Sequence, residues 1–396
     1  MPADRLATMT ESLIREMTRI AIAHDAINLS QGFPDFPTPA ALKQAAVDAI
    51  LGDHNQYAVT WGSRALREAI AAKLGAWYNL DVDAEQHVTI TVGVTEAIVV
   101  TLMSLINPGD EVVIIEPFHE NFYPAVVFAG GTPVFVPLEP PAFRLDADRL
   151  RAAFGPRTRA IILNTPHNPT GRVFSREELQ IVADLCQEFD TVAVTDEIYE
   201  HILYDGRQHI PLATLPGMAE RTVTCGGLSK TYAITGWRLA YTVAPAPISN
   251  AIRTVHDFTT ICAPTPLQEA AVTAIHFPPE YYAQLQADYH VRRDKMMSIL
   301  ADTGFGAAPP EGAYYVMADF GGVGFPSDDD HAFALWLTKE VGVAVVPGSS
   351  FYRTPGKGRG LVRFAFPKKL VTLDAAHERL KAGLPKAAML TTHERA

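Results

Sequence analysis

From about Ala84 to Ala244, short β-rich apolar runs precede helical or turn segments again and again, and several of these runs are apolar at consecutive positions. Val112-Val113-Ile114-Ile115 and Ala160-Ile161-Ile162-Leu163 are examples. A strand with one wet face alternates apolar and polar residues; a strand that is apolar on both faces needs a layer on each side. This pattern predicts an α/β region with a mostly parallel sheet. Its seven strands are predicted at His87–Val92, Glu111–Glu116, Thr132–Pro137, Arg159–Asn164, Thr191–Asp196, Arg221–Gly226 and Arg238–Val243. Ser175-Arg176-Glu177-Glu178 has capping-box spacing and should open a helix carrying Leu179, Val182, Ala183, Cys186 and Phe189 onto the sheet.

After about Tyr289 the pattern changes to charged helices at Asp288–Leu300, His331–Glu340 and Leu373–Leu384, with short strands near Ala313–Ala318 and Leu361–Ala365. At 396 residues the chain is too long for one ordinary core. We assign residues 46–288 to a large domain, and residues 1–45 with 289–396 to a smaller α+β domain that includes an N-terminal arm. No repeat or low-complexity tract suggests a solenoid.

Lys and Arg total 33 against 44 Asp and Glu, and the net charge of −11 argues against a nucleic-acid surface. The three cysteines, 186, 225 and 262, are too few and too scattered for a disulfide framework or a CxxC metal pattern, which favours a reducing compartment. No stretch has the ~18 uninterrupted apolar residues of a membrane span. The expected location is the cytoplasm.

Chemistry-bearing residues gather at predicted strand ends, the edge where open α/β folds bind ligands. Cys225-Gly226-Gly227-Leu228-Ser229-Lys230 ends one strand with a lysine that could form a Schiff base with a carbonyl if desolvated. Thr195-Asp196-Glu197-Ile198-Tyr199 ends another with a carboxylate and a phenol, and Asn164-Thr165-Pro166-His167-Asn168 ends a third with an amide turn. Taken singly, Lys230 reads equally as a solvated loop lysine, Asp196 as a helix cap, Tyr57 as a core phenol and Arg363 as a surface ion pair. Together with Arg238, these groups are the parts needed to hold pyridoxal phosphate.

The ordered set resembles the class I/II aminotransferases, pyridoxal-phosphate enzymes of the aspartate aminotransferase fold. The resemblance runs from Asn28-Leu29-Ser30-Gln31-Gly32-Phe33-Pro34-Asp35-Phe36 to Val362-Arg363-Phe364. The Gln-Gly-Phe-Pro-Asp-Phe start, Asn55-Gln56-Tyr57 and the 164–186 stretch are most similar to the kynurenine/glutamine and methionine aminotransferase branch. The resemblance implies a fold-type I transferase, with a mostly parallel seven-stranded sheet in the large domain beside a smaller α+β domain.

It also implies roles. Lys230 would bind the cofactor covalently and then move a proton between the substrate Cα and the cofactor C4′. Asp196 would keep the pyridine nitrogen protonated, while Tyr199 and Asn168 would bond the ring's phenolate oxygen. The backbone N–H groups of Val94 and Thr95, at a helix start, and the Arg238 guanidinium would take the phosphate. Tyr57 would reach the phosphate of the neighbouring subunit, which implies a homodimer with shared active sites. Arg363 would clamp the substrate α-carboxylate, with Gly32 and Phe33 closing over it.

Two positions depart from the family. Gly227 stands where a phosphate-binding serine is common. His119 occupies the ring-stacking position usually held by Phe, Tyr or Trp; it could titrate near neutrality, and Phe118 is the fallback.

Other motifs fail. Gly356-Lys357-Gly358-Arg359-Gly360 lacks phosphate-loop spacing, and His201 and His209 read as surface or loop histidines without metal partners. The implied activity is ping-pong transfer of an amino group from an L-amino acid to a 2-oxo acid, 2-oxoglutarate above all. The alternatives are a C–S β-lyase or cyclase on the same scaffold, and a regulatory protein. The second would need a DNA-binding module, for which the segment before Asn28 is too short. The amino donor stays open; Thr95, where some aspartate-preferring relatives carry lysine, argues weakly against aspartate.

Overall fold

The computed structural model describes residues 3–9 and 11–390. Residues 1, 2, 10 and 391–396, which fall in the small-domain assignment, lie outside the described residues. The larger sheet comprises β1 (Val88–Thr91), β2 (Glu111–Glu116), β3 (Thr132–Pro137), β4 (Thr158–Asn164), β5 (Val192–Asp196), β6 (Thr222–Gly227) and β7 (Ala240–Val243). Its strand order is β1-β7-β6-β5-β4-β2-β3, and β7 alone runs antiparallel to its neighbours. The expected mostly parallel seven-stranded sheet is therefore present, with strand limits within two residues of those read from sequence.

The register decides what meets at the sheet edge. Asn164 at the end of β4 pairs with Asp196 at the end of β5, and Asp196 pairs with Cys225 of β6. Parallel strands end on one side, so these ends, and the chain leaving β6 toward Lys230, share the carboxyl edge. On the same edge β1 gives way to the helix Gly93–Leu105. The Ser175 capping box forms as expected, and its helix Arg176–Glu188 buries Leu179, Val182, Ala183 and Cys186.

A second, antiparallel sheet comprises β8 (Gly306–Ala307), β9 (Tyr315–Asp319), β10 (Val346–Pro347) and β11 (Leu361–Ala365), in the order β10-β11-β9-β8. Ile27–Asn28 pairs in parallel with Val343–Ala344, bringing the segment after Asn28 to this sheet. One connected apolar core joins Ile114, Ile162 and Val194 of the larger sheet to Val316 and Phe364 of the smaller.

Three helices differ from their expected limits, the one expected at 373–384 spanning Leu370–Gly383. The helix expected at 288–300 spans Pro279–Asp302, started by prolines at its first turn, where a missing N–H costs nothing. The helix expected at 331–340 is α-helical over Asp330–Trp336 and then widens into a π turn, Leu337–Val341, which ends at Gly342 with φ +81°.

Candidate active site

A cavity of about 170 Å³ opens at the carboxyl edge of the larger sheet, lined by Lys230, Asp196, Tyr199 and Asn168. Val94, Thr95, His119 and Arg238 complete the set expected there, and Tyr315 joins them. Beside it, a cavity of about 460 Å³ shares His119, Asn168, Lys230 and Tyr315, and adds Gly32, Phe33 and Arg363. All the proposed site residues except Tyr57 thus line one or the other of these two adjoining cavities. Tyr57 is 79% exposed and stands outside it within a single chain.

Lys230 donates from Nζ to the Gly32 carbonyl at 3.1 Å and lies 5.9 and 5.7 Å from the ring centroids of Tyr199 and Tyr314. Burial, helped by the positive charge of Arg238, lowers its pKa to about 8, although Asp196 pulls the other way. A lysine so placed keeps a nucleophilic unprotonated fraction near neutral pH.

Asp196 has the opposite problem. Its carboxylate accepts the Ile198 backbone N–H at 3.3 Å, and burial raises its pKa to about 7. A buried carboxylate without a close cation is poised to receive one. The turn that follows is anchored from below: Glu197 accepts from Thr195 at 2.8 Å and contacts His209 Nε2 at 2.7 Å, while Glu200 pairs with Lys73 and accepts from Tyr78 at 2.6 Å. His201 and His209, expected as surface or loop histidines, lie in the turn and loop after β5 and are buried at 2% and 7% exposure within this network. Their burial was not legible because Glu197, Glu200 and Lys73 converge only in three dimensions.

The Tyr199 hydroxyl meets that of Tyr315 at 3.0 Å. Arg363, 1% exposed in β11, donates from Nη1 to Asn168 Oδ1 at 2.8 Å and from Nη2 to the Ser30 carbonyl at 2.5 Å. Its guanidinium lies 4.3 Å from the Tyr315 ring centroid, and its Nε is buried without a partner. Sequence reading missed Tyr315 and Tyr314. Their only signal was a pair of adjacent tyrosines at the start of a small-domain strand.

Arg238 has φ +55° and donates to the Thr235 carbonyl at 3.0 Å. Gly93, with φ +80°, starts the helix that points its N-terminus at the cavity, and a Cβ there would lie 2.1 Å from Arg238 Nη2. The absence of that Cβ lets a guanidinium and free helical N–H groups converge, a cradle for an anion. At Gly227 a Cβ would lie 2.9 Å from Ile198 side-chain carbons and 3.1 Å from Val94, so this packing has no room for the missing serine.

His119 faces the cavity, whereas the fallback Phe118 is buried and stacks on Phe135 at 5.8 Å. Burial, with Arg363 and Lys230 nearby, lowers the His119 pKa to about 3. The imidazole is therefore neutral at physiological pH and does not titrate there as expected. Phe33 packs its ring 4.0 Å from Lys368 Nζ, which donates to the Phe33 carbonyl at 2.9 Å.

A carboxylate lacking a cation, an orphaned guanidinium N–H, an anion cradle and a depressed lysine fit pyridoxal phosphate and a carboxylate-bearing substrate. Among the described residues no group of His, Cys, Asp and Glu has metal-site geometry.

Comparison with known proteins agrees. The profile of the family "Aminotransferase class I and II" matches residues 24–379. The crystal structure of N-succinyldiaminopimelate aminotransferase from Mycobacterium tuberculosis is 40% identical and superposes with a TM-score of 0.94, covering 96% of this chain and all of that one. Methionine aminotransferase of Escherichia coli is 38% identical over 96% of this chain and 98% of its own length. Human kynurenine–oxoglutarate transaminase 3 is 36% identical over 96% of this chain and 90% of its own. The fold is that of a pyridoxal-phosphate-dependent transferase with the aspartate-aminotransferase architecture. The chain belongs to the aminotransferase class I and II family, and it is an aminotransferase; the lyase alternative is not favoured by these relatives.

Proposed function

We propose that this enzyme moves the amino group of an L-amino acid to 2-oxoglutarate in two half-reactions, using the residues of the two adjoining cavities in the following roles. The observation that carries this reading is the convergence of Lys230, Asp196 and Arg238 on one small cavity, which shares Lys230, Arg238 and Asn168 with the adjoining cavity that Arg363 lines. Pyridoxal phosphate, when bound, supplies a carbonyl that captures amines and a ring that accepts the electrons left at the substrate Cα.

Lys230 is the amine that would hold the cofactor and, once freed, the base that would carry the proton taken from the substrate Cα. Asp196 would present its carboxylate to the pyridine nitrogen and keep it protonated. Tyr199 and Asn168 would donate to the ring oxygen, and His119 would lie against the ring. Arg238 and the N–H groups of Val94 and Thr95 bind the phosphate. Arg363 takes the α-carboxylate through the N–H groups that now meet Ser30 and Asn168, and Gly32 and Phe33 cover it and exclude water.

A homodimer is part of this reading. Tyr57, Val59, Phe258 and Ile261 expose 79, 55, 87 and 49% of their surfaces. They are neighbours, because Thr60 bonds Asp257 at 3.1 Å and Gln56 accepts from Thr265 at 2.6 Å. Exposed apolar clusters of this kind mark interaction surfaces, and Tyr57 would reach the partner's phosphate site from there. The division into residues 46–288 and residues 1–45 with 289–396 follows the two sheets, with both limits falling inside helices, Ala40–Leu51 and Pro279–Asp302. Among the described residues no helix is long and apolar enough to cross a membrane, and all three cysteines are free thiols. A cytoplasmic enzyme acting on small molecules fits both.

The activities of the relatives make methionine, kynurenine and N-succinyldiaminopimelate donor candidates. A panel of amino acids assayed with 2-oxoglutarate tests the reading; no transfer from any member would overturn it.

A further inference from the structure

Four cationic side chains line the larger cavity: Lys230, Arg238, Arg363 and Arg15. The proposed function uses three of them. Arg15 is the third residue of the helix Leu13–Ala23, and its guanidinium is exposed at the cavity wall. Among the described residues it makes no ion pair and no side-chain hydrogen bond, whereas Arg19, one turn further along the same helix, is paired with Glu11.

The carboxylates around Arg15 are already engaged: Glu11, which the Arg15 charge reaches, is paired with Arg19. Glu120 lines the same cavity, but it accepts a hydrogen bond from the Ser12 hydroxyl. Ser12 is the N-cap of the Arg15 helix, and its Oγ also accepts the Arg15 backbone N–H at 3.2 Å. A carboxylate at a helix N-terminus is stabilised where it stands. Glu120 thus ties the start of the helix to the site, and among the described residues Arg15 forms no ion pair with it. Arg15 is also among the charges that depress His119, which places it within electrostatic reach of the cofactor-facing imidazole.

Resting on the aminotransferase reading above, we propose that Arg15 binds the distal carboxylate of dicarboxylic substrates such as 2-oxoglutarate and glutamate, while Arg363 holds the α-carboxylate. A guanidinium suits this task because its planar fork matches a carboxylate with two hydrogen bonds. Its exposure matters too. With an apolar donor in the site, Arg15 can turn toward water without breaking an ion pair, so one cavity accepts a neutral donor and a dianionic acceptor in turn.

The test uses the holoenzyme and its Arg15→Met and Arg15→Lys variants, with 2-oxoglutarate or 2-oxohexanoate as acceptor and glutarate as a non-reacting competitor. Arg15→Met should lower kcat/KM for 2-oxoglutarate by about 10-fold or more and weaken glutarate inhibition by a similar factor. The change for 2-oxohexanoate should stay under about 2-fold, and Arg15→Lys should recover part of the loss. Equal losses for both acceptors, or an undiminished response to 2-oxoglutarate and glutarate, would overturn the assignment while leaving the aminotransferase reading intact. Failure of the wild-type enzyme to transfer an amine to either acid would overturn that reading and the Arg15 assignment with it.

Discussion

Arg363 reaches from the smaller sheet across the cleft and donates to the Asn168 side-chain oxygen at 2.8 Å, tying β11 to the turn that ends β4. The two residues are 195 positions apart, and one bond joins the proposed substrate clamp to the proposed cofactor contact. The clamp is therefore held ready by a neutral amide, which can yield its place to a carboxylate at little electrostatic cost.

Arg363→Lys keeps the charge but loses the fork. The lost contact is worth ~1.5 to 3 kcal/mol, so kcat/KM should fall roughly 10- to 150-fold for amino acid and 2-oxo acid alike. The visible spectrum of the bound cofactor should not change. Steady-state kinetics of both half-reactions check this, and a loss confined to one of them would remove Arg363 from the carboxylate site.

Asp196→Asn should lower turnover far more than cofactor affinity, since the amide keeps the shape and gives up the charge. It should also change how the cofactor-free protein responds to pH. With the Asp196 pKa raised to about 7 by burial, the native state holds a proton that the unfolded chain releases near pH 4. Stability from this group therefore declines as pH rises from about 4 to about 7, by on the order of a few kcal/mol, and then levels off. Thermal melts of the cofactor-free wild type and Asp196→Asn across this range should converge at low pH and separate above pH 7, with the asparagine variant the more stable.

Gly93→Ala would drive a Cβ to 2.1 Å from Arg238 Nη2 at a residue whose φ is +80°. Displacing the guanidinium should weaken pyridoxal phosphate binding by about 10-fold or more, as expected for one charge-assisted hydrogen bond. Equilibrium dialysis against the cofactor measures it. Unchanged affinity would take Arg238 away from the phosphate.

Tyr315→Phe removes the hydroxyl 3.0 Å from that of Tyr199. A neutral hydrogen bond is worth about 1 kcal/mol, so kcat/KM should fall roughly 2- to 13-fold with little change in melting temperature. A larger collapse of stability would make Tyr315 a structural residue and no more.

What was legible in the sequence follows from what repeats or terminates. The larger sheet showed because Val112–Ile115 and Ala160–Leu163 are apolar on both faces, and such runs have few alternative folds. Asp196, Asn168 and Lys230 showed because each closes or follows a strand, and parallel strands bring their ends to one edge. Tyr315 and Arg15 did not show, since their roles arise from contacts across a hundred residues or more, with no period to announce them. His119 lines the cavity, but its protonation could not be read from the sequence, because burial beside two cations is a property of the folded site alone. Lys73, Glu200 and His209 stayed hidden for the same reason: their network lies under the Tyr199 turn and is assembled from three separate segments.

The most direct test of the central claim is the stoichiometry of a single half-reaction. Holoenzyme is mixed with an excess of a donor amino acid and no 2-oxo acid, and the 2-oxo acid and free ammonia formed are counted. The account predicts one 2-oxo acid per active site and then arrest, no ammonia, and resumption only when 2-oxoglutarate is added; Lys230→Ala should give none. Continued turnover with release of ammonia and no acceptor present would contradict an aminotransferase.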